Sequence, residues 1–194
     1  MNEFIAIIEE HSEHFEESLT QLQWRTYLPS PYLEDFFSTL QREKLPLSEK
    51  ENHLLLLLKL SAKDSAYEIV SAIQMKIEKA TMKLYQDGVY PFAITSFRDL
   101  MEQVNEQARL NALRIMNAIY DEAKILGGAY PGILGRIFDL LNKCGSYLRN
   151  LVVKVSEFIA QIINDVAEWL PNAWASISNI FNAIRAWVTR WYCP

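Results

Sequence analysis

The feature of this sequence that most constrains its fold is the spacing of its apolar residues. They recur every three or four positions in long stretches, and a few clusters of proline and glycine separate the stretches. A stripe of that period lies along one face of an α-helix, whereas strand side chains alternate every second residue. Strand alternation is not seen anywhere along the chain. The pattern predicts an all-α protein of five or six long amphipathic helices in an antiparallel bundle or extended helical array. Long stripes joined by short breaks favour neighbours that run back along each other.

The first stripe aligns Phe4, Ile8, His11, Phe15, Leu19 and Leu22 and should end near Pro29 and Pro31. Ser30 followed by Pro31 reads as a helix start, with a capping hydroxyl ahead of a preorganised first position. A short helix with Leu33, Phe36, Phe37 and Leu40 follows. Ser48-Glu49-Lys50-Glu51 has the form of a capping box and opens a segment to about Gln86, striped by Ala66, Val70, Ile73, Ile77, Ala80 and Leu84. Within it the run Leu54 to Leu58 is apolar on every side and should be buried, with a break expected between Ser61 and Asp64. Gly88 and Pro91 close the segment.

The next stripe is Phe97, Met101, Val104, Ala108, Asn111 and Ile115, and Gly127-Gly128 should stop its helix after Leu126. Asn111 is expected as a register-fixing or edge position on that seam. Leu134, Ile137, Leu141, Leu148, Leu151, Val155, Phe158, Ile162, Val166 and Trp169 then mark a long helix that Pro171 interrupts. The last stripe is the most regular: Trp174, Ile177, Phe181, Ile184, Val188 and Trp191, flanked by Ile180 and Trp187. The 194 residues are expected to form a single all-α domain. A subdivision near residues 127–132 would separate an acidic part from an apolar one.

Charge supports that asymmetry. Residues 1–90 carry 15 acidic and 9 basic side chains, net −6, and the remainder is net +1. Through Leu28 the acidic residues are Glu3, Glu9, Glu10, Glu13, Glu16 and Glu17, opposed by Arg25 alone. The formal charge of −5 argues against a nucleic-acid partner, which needs a basic face to displace counterions. The start, Met1-Asn2-Glu3-Phe4, lacks the basic region and apolar core of a signal peptide. No apolar stretch reaches the ~18 residues of a membrane span, so a soluble or peripheral protein is expected. Cys193 stands in the wrong place for a prenylation box.

Chemistry-bearing motifs are sparse. His11 and His14, beside Glu10 and Glu17, have a spacing that places imidazole and carboxylate on one helix face. Carboxylate-bridged metal bundles pair such motifs across four helices, however, and the remaining histidine here is His53. No metal or cofactor is expected. There is no Gly-rich phosphate loop, no nucleophile elbow and no His-Glu-x-x-His run, so no catalytic residue is assigned and the protein is not expected to be an enzyme. Cys144 lies in an apolar stretch where cysteine behaves as a small hydrophobe. A bridge to Cys193 is the one disulfide the chain allows.

The distinctive remainder is the last third of the chain. The only charges after Glu168 are Arg185 and Arg190, and tryptophans line the apolar stripe, a pattern suited to a lipid interface. The succession of proline-punctuated amphipathic helices resembles, in composition, apolipoprotein-type lipid-binding proteins. The expectation is a non-enzymatic protein that binds a lipid or membrane interface through Ile133 to Trp191. Trp169, Trp174, Ile177, Phe181, Ile184, Trp187, Val188 and Trp191 are its contact residues. The alternative is a structural or interaction protein whose helical seams bind another helical protein or assemble a homo-oligomer.

Overall fold

The computed structural model describes residues 2–21, 27–42 and 46–192, Tyr192 in its backbone only. Leu22, Arg25 and Cys193 lie outside the described residues. The described residues form an all-α bundle of long helices with no strand among them. In chain order these are α1 (Asn2–Gln21), α2 (Glu34–Arg42), α3 (Glu49–Asp87), α4 (Pro91–Ala129), α5 (Leu134–Asn164), α6 (Val166–Trp169) and α7 (Ala173–Thr189). Single 3₁₀ turns precede α2, α5 and α7.

Two compact units divide the chain, and each is assembled from two separate stretches. Unit 1 is Met1–Ala62 with Leu113–Arg149, and unit 2 is Lys63–Ala112 with Asn150–Pro194. Helices α3, α4 and α5 each contribute to both units. The glycines and proline of 127–132, where the sequence suggests a subdivision, fall inside unit 1.

The stripes are the buried faces. In unit 1, Phe4, Ile8, His11, Phe15 and Leu19 of α1 are buried, as are Ile137, Leu141 and Leu148 of α5. In unit 2, Ala66, Val70, Ile73 and Ile77 of α3 are buried, as are Phe97, Met101 and Val104 of α4. Each large side chain so enclosed is worth about 1.5–3 kcal/mol. The capping box forms as expected: the Ser48 amide donates to Glu51 Oε2 at 2.8 Å and the Glu51 amide to Ser48 Oγ at 3.3 Å. Gly88, at φ +86°, ends α3 in the left-handed conformation that glycine adopts without penalty.

Several sequence expectations give way, each for a packing reason. Ser30 makes no cap bond with its side chain; its hydroxyl and amide both donate to the Glu10 carboxylate instead. Leu56 and Leu57 are half exposed, because within the Leu54 to Leu58 run only the side facing the core, with Leu58, is covered. α3 passes unbroken through Ser61 to Asp64, where Ala62 and Ala66 keep the stripe in register. α4 continues through Gly127 and Gly128 to Ala129. Gly127 is there for packing: a Cβ on it would lie 2.4 Å from the Phe4 ring and 2.8 Å from Leu134. Asn111, by contrast, keeps the edge position expected of it: it is half buried and accepts from Gln107 at 3.1 Å, an i, i+4 pair along the helix surface.

Candidate functional site

The last stripe is a core face. Ile177, Phe181, Ile184, Val188 and Trp191 of α7 and its closing turn are all buried in unit 2, with Phe181 edge-on to Phe158 of α5 at 6.1 Å. Polar contacts fix the same helix against α3. Arg185 donates to Gln74, and Tyr67 reaches the Arg185 carbonyl at 3.3 Å and the Thr189 hydroxyl. The tryptophans of the expected interface therefore separate. Trp169 is half buried, stacked on Phe97 at 5.9 Å, and its Nε1 donates to Ser176. Trp187 is half buried and edge-on to buried Trp191 at 5.8 Å, with Lys154 Nζ 6.0 Å from its ring centre. Trp174 alone of the eight expected contact residues is exposed, at 41%.

Trp174 leads to a surface that the stripe did not indicate. Its indole stacks on Tyr85 of α3, centroids 6.3 Å apart and planes 11° from parallel, while the Tyr85 hydroxyl donates to the Leu170 carbonyl at 2.6 Å. Tyr85 stands one helical turn before the α3–α4 turn, where Val89, Tyr90 and Phe92 are exposed, Phe92 at 74%. Along α3, Met75 and Met82 are also exposed. Seven residues apart, and with Tyr85 three further on, they lie on one side of the helix. Lys76, Lys79 and Lys83 are exposed within the same turns, and Lys79 lies four residues from Met75 and three from Met82. Glu78, three residues after Met75 and four before Met82, lies on the same side and accepts from Gln74 at 2.7 Å, and Asp87 is exposed beside the turn. Met75, Met82 and Tyr85 thus share one side of α3 with Lys79 and Glu78, flanked by Lys76 and Lys83, and the exposed aromatic residues of the α3–α4 turn follow in sequence.

This residue set was legible only in part. Met75, Met82 and Lys79 fall on the outer side of α3, which periodicity assigns to solvent, and Phe92 sits next to a helix-starting proline. The available signal was the excess of large apolar residues outside the stripe. Such an excess becomes a patch only when neighbours in space are known.

The histidine pair reads differently. His11 is fully buried in unit 1, and both ring nitrogens are engaged. Nε2 donates to Asn142 Oδ1 at 2.9 Å, which leaves Nδ1 to accept from the Tyr120 hydroxyl at 2.6 Å. Tyr27, Tyr120 and Phe138 pack edge-on around the ring at 5.2, 5.7 and 5.4 Å. Burial pushes the imidazole down to about 4, against a smaller opposing effect of the Asn142 bond, and nearby His14 adds to the depression. Next to it, burial tends to raise the Glu10 carboxyl. Hydrogen bonds from Ser30 and Tyr27 nevertheless hold it below the usual carboxylate range. Cys144 is a free, buried thiol pushed up by burial to about 12, consistent with a small hydrophobe rather than a nucleophile. Among the described residues no group of three or more histidine, cysteine or acidic side chains converges as a metal site would require. Among them, too, no helix is long and apolar enough to cross a membrane.

No protein family, curated protein or solved structure matches this chain.

Proposed function

We propose that the protein attaches to an anionic lipid surface through one face of unit 2. That face comprises Met75, Lys79 and Met82 on α3, the α3–α4 turn with Tyr90 and Phe92, and the Tyr85–Trp174 stack. The observation that carries this reading is the interleaving of the exposed Met75, Met82 and Tyr85 with Lys76, Lys79 and Lys83 along α3, followed by the exposed aromatic residues of the turn. Aromatic rings settle at the headgroup level, methionines insert among the acyl chains, and lysine stems extend over apolar surface with the ammonium left among phosphates. Each lysine near an anionic surface contributes about 1 kcal/mol at low screening. A helical seam for a partner protein would not need the basic flank. The buried stripe of α7 serves this reading indirectly, by holding Trp174 against Tyr85 at the exposed end.

The test is vesicle flotation with tryptophan fluorescence, using phosphatidylcholine vesicles with and without phosphatidylserine. The wild type should float with the anionic vesicles, shift its emission blue, and dissociate as salt rises. The pair Phe92→Ala and Trp174→Ala should weaken binding while leaving helical content intact. Lys76→Gln, Lys79→Gln and Lys83→Gln together should remove the preference for anionic lipid. If wild type floats with neither vesicle, the reading fails. If the same substitutions instead dissociate an oligomer seen by sedimentation, the face is an assembly seam.

A further inference from the structure

The four described methionines fall into two classes. Met75 and Met82 of α3 are 69% and 48% exposed, whereas Met101 and Met116 of α4 are fully enclosed. The two exposed sulfurs are seven residues apart on one side of α3, the side that carries Lys79. We propose that Met75 and Met82 form a modification site: resting on the attachment reading above, their oxidation to sulfoxides by a peroxide releases the protein from the lipid surface. The step needs no activation by the protein. A thioether sulfur has no proton to lose, and its lone pair attacks one peroxide oxygen. The O–O bond breaks as the sulfur–oxygen bond forms, and the departing hydroxide takes the proton left on the new oxygen and leaves as water. Sulfur is oxidised by two electrons and the peroxide is reduced by two. Access therefore selects the residue. Buried Cys144 is no competitor, because a peroxide attacks the thiolate and burial pushes this thiol up to about 12.

The consequence follows from what a sulfoxide is. It is polar and accepts hydrogen bonds, so insertion among acyl chains leaves its oxygen without a partner. In water the same group is satisfied where it stands. Lys79, four residues after Met75 and three before Met82, is within one helical turn of both oxygens and can donate to either. Oxidation thus withdraws the two side chains that enter the apolar layer and draws Lys79 back toward the helix. Lys76 and Lys83 keep their charges, so the attachment that remains is more electrostatic. The fold is left alone, because Ile73, Ile77 and Leu84 keep the opposite side of α3 in the core and the enclosed Met101 and Met116 are out of reach.

The experiment treats the full chain with dilute hydrogen peroxide and locates the added oxygen by peptide mass spectrometry. Flotation with phosphatidylcholine vesicles containing phosphatidylserine is measured before and after. Met75 and Met82 should be oxidised roughly tenfold or more faster than Met101 and Met116. The doubly oxidised protein should keep its circular dichroism, bind roughly tenfold or more weakly, and lose its remaining binding at lower salt. Methionine sulfoxide reductases of both epimer types with dithiothreitol should restore binding, and dithiothreitol alone should not. The double variant Met75→Leu, Met82→Leu is compared with itself: whatever its own affinity, peroxide should leave that affinity unaltered. Equal oxidation of all four methionines, or undiminished flotation of the doubly oxidised protein, overturns the proposal while the attachment reading stands. Recovery with dithiothreitol alone, or loss of binding by the treated leucine variant, assigns the effect to another residue and overturns it as well. Should the leucine variant not float at all, recovery by the reductases decides the matter. If the untreated wild type floats with no anionic vesicle, the attachment reading fails and the oxidation site falls with it.

Discussion

Gly135→Ala should destabilise unit 1 even though it replaces glycine by the best helix former inside a helix. On propensity alone the substitution at this α5 position would stabilise by about 0.5–1 kcal/mol. The structure reverses the sign. A Cβ on Gly135 would stand 2.3 Å from the Leu40 carbonyl oxygen and 3.3 Å from its carbon. Both are backbone atoms of α2, which cannot swing aside as a side-chain tip can. Reaching even 3.0 Å requires α2 and α5 to part by roughly 0.7 Å along that line. Overpacking of this kind costs about 1–3 kcal/mol, so the net effect is a loss of up to about 2.5 kcal/mol. Gly128→Ala in the same unit is the control. It lies in α4 with negative φ and nothing within 4 Å of the added carbon, and should gain from a few tenths to about 1 kcal/mol. Urea unfolding of both variants and wild type reads the difference. With slopes of about 1–3 kcal/mol per molar, the midpoints should move in opposite directions. If Gly135→Ala raises the midpoint as Gly128→Ala does, the close approach of α2 to α5 is wrong.

The stability of unit 1 should fall with acid in a defined window. The folded state holds His11 neutral down to about 4, whereas the unfolded chain takes up its proton near 6.5. The contribution is therefore complete above pH 6.5 and disappears as pH falls towards 4. It amounts to about 3 kcal/mol at 1.36 kcal/mol per tenfold, and unfolding midpoints at pH 7, 5.5 and 4.5 for wild type and His11→Gln measure it. Ile184→Asp should cost unit 2 several kcal/mol by burying an unpaired carboxylate. Trp174→Asp, on the same helix but exposed, should cost far less; equal thermal shifts would contradict the assignment of the two faces. Cys144 should resist maleimide in the native protein and react on denaturation, because its thiol is buried and pushed up to about 12. Rapid native labelling at that position would refute the burial.

What the sequence determined by itself is the helices and their inner faces. Periodicity near 3.6 needs no tertiary knowledge, since the residues of a stripe fall on one face as soon as the backbone coils. That is why the stripe residues Ala66, Val70, Ile73, Ile77, Ala80 and Leu84 face inward, as do Ile177, Phe181, Ile184 and Val188. The Ser48–Glu51 box was equally local, its partners being three residues apart. Residues far apart in sequence decided the rest. Gly127 looked like a stop and proved to be room for Phe4, and Ser30 looked like a cap and proved to be a partner of Glu10. His11, read as a seam residue, gained its character from Tyr120 and Asn142, more than a hundred positions away. The tryptophans show the same division most clearly. Their spacing gave Trp174 and Trp191 the same standing on one stripe, yet Trp191 is enclosed and Trp174 meets Tyr85 at the surface. A helix carries its own periodicity, but only its neighbours settle where along its length that face is covered.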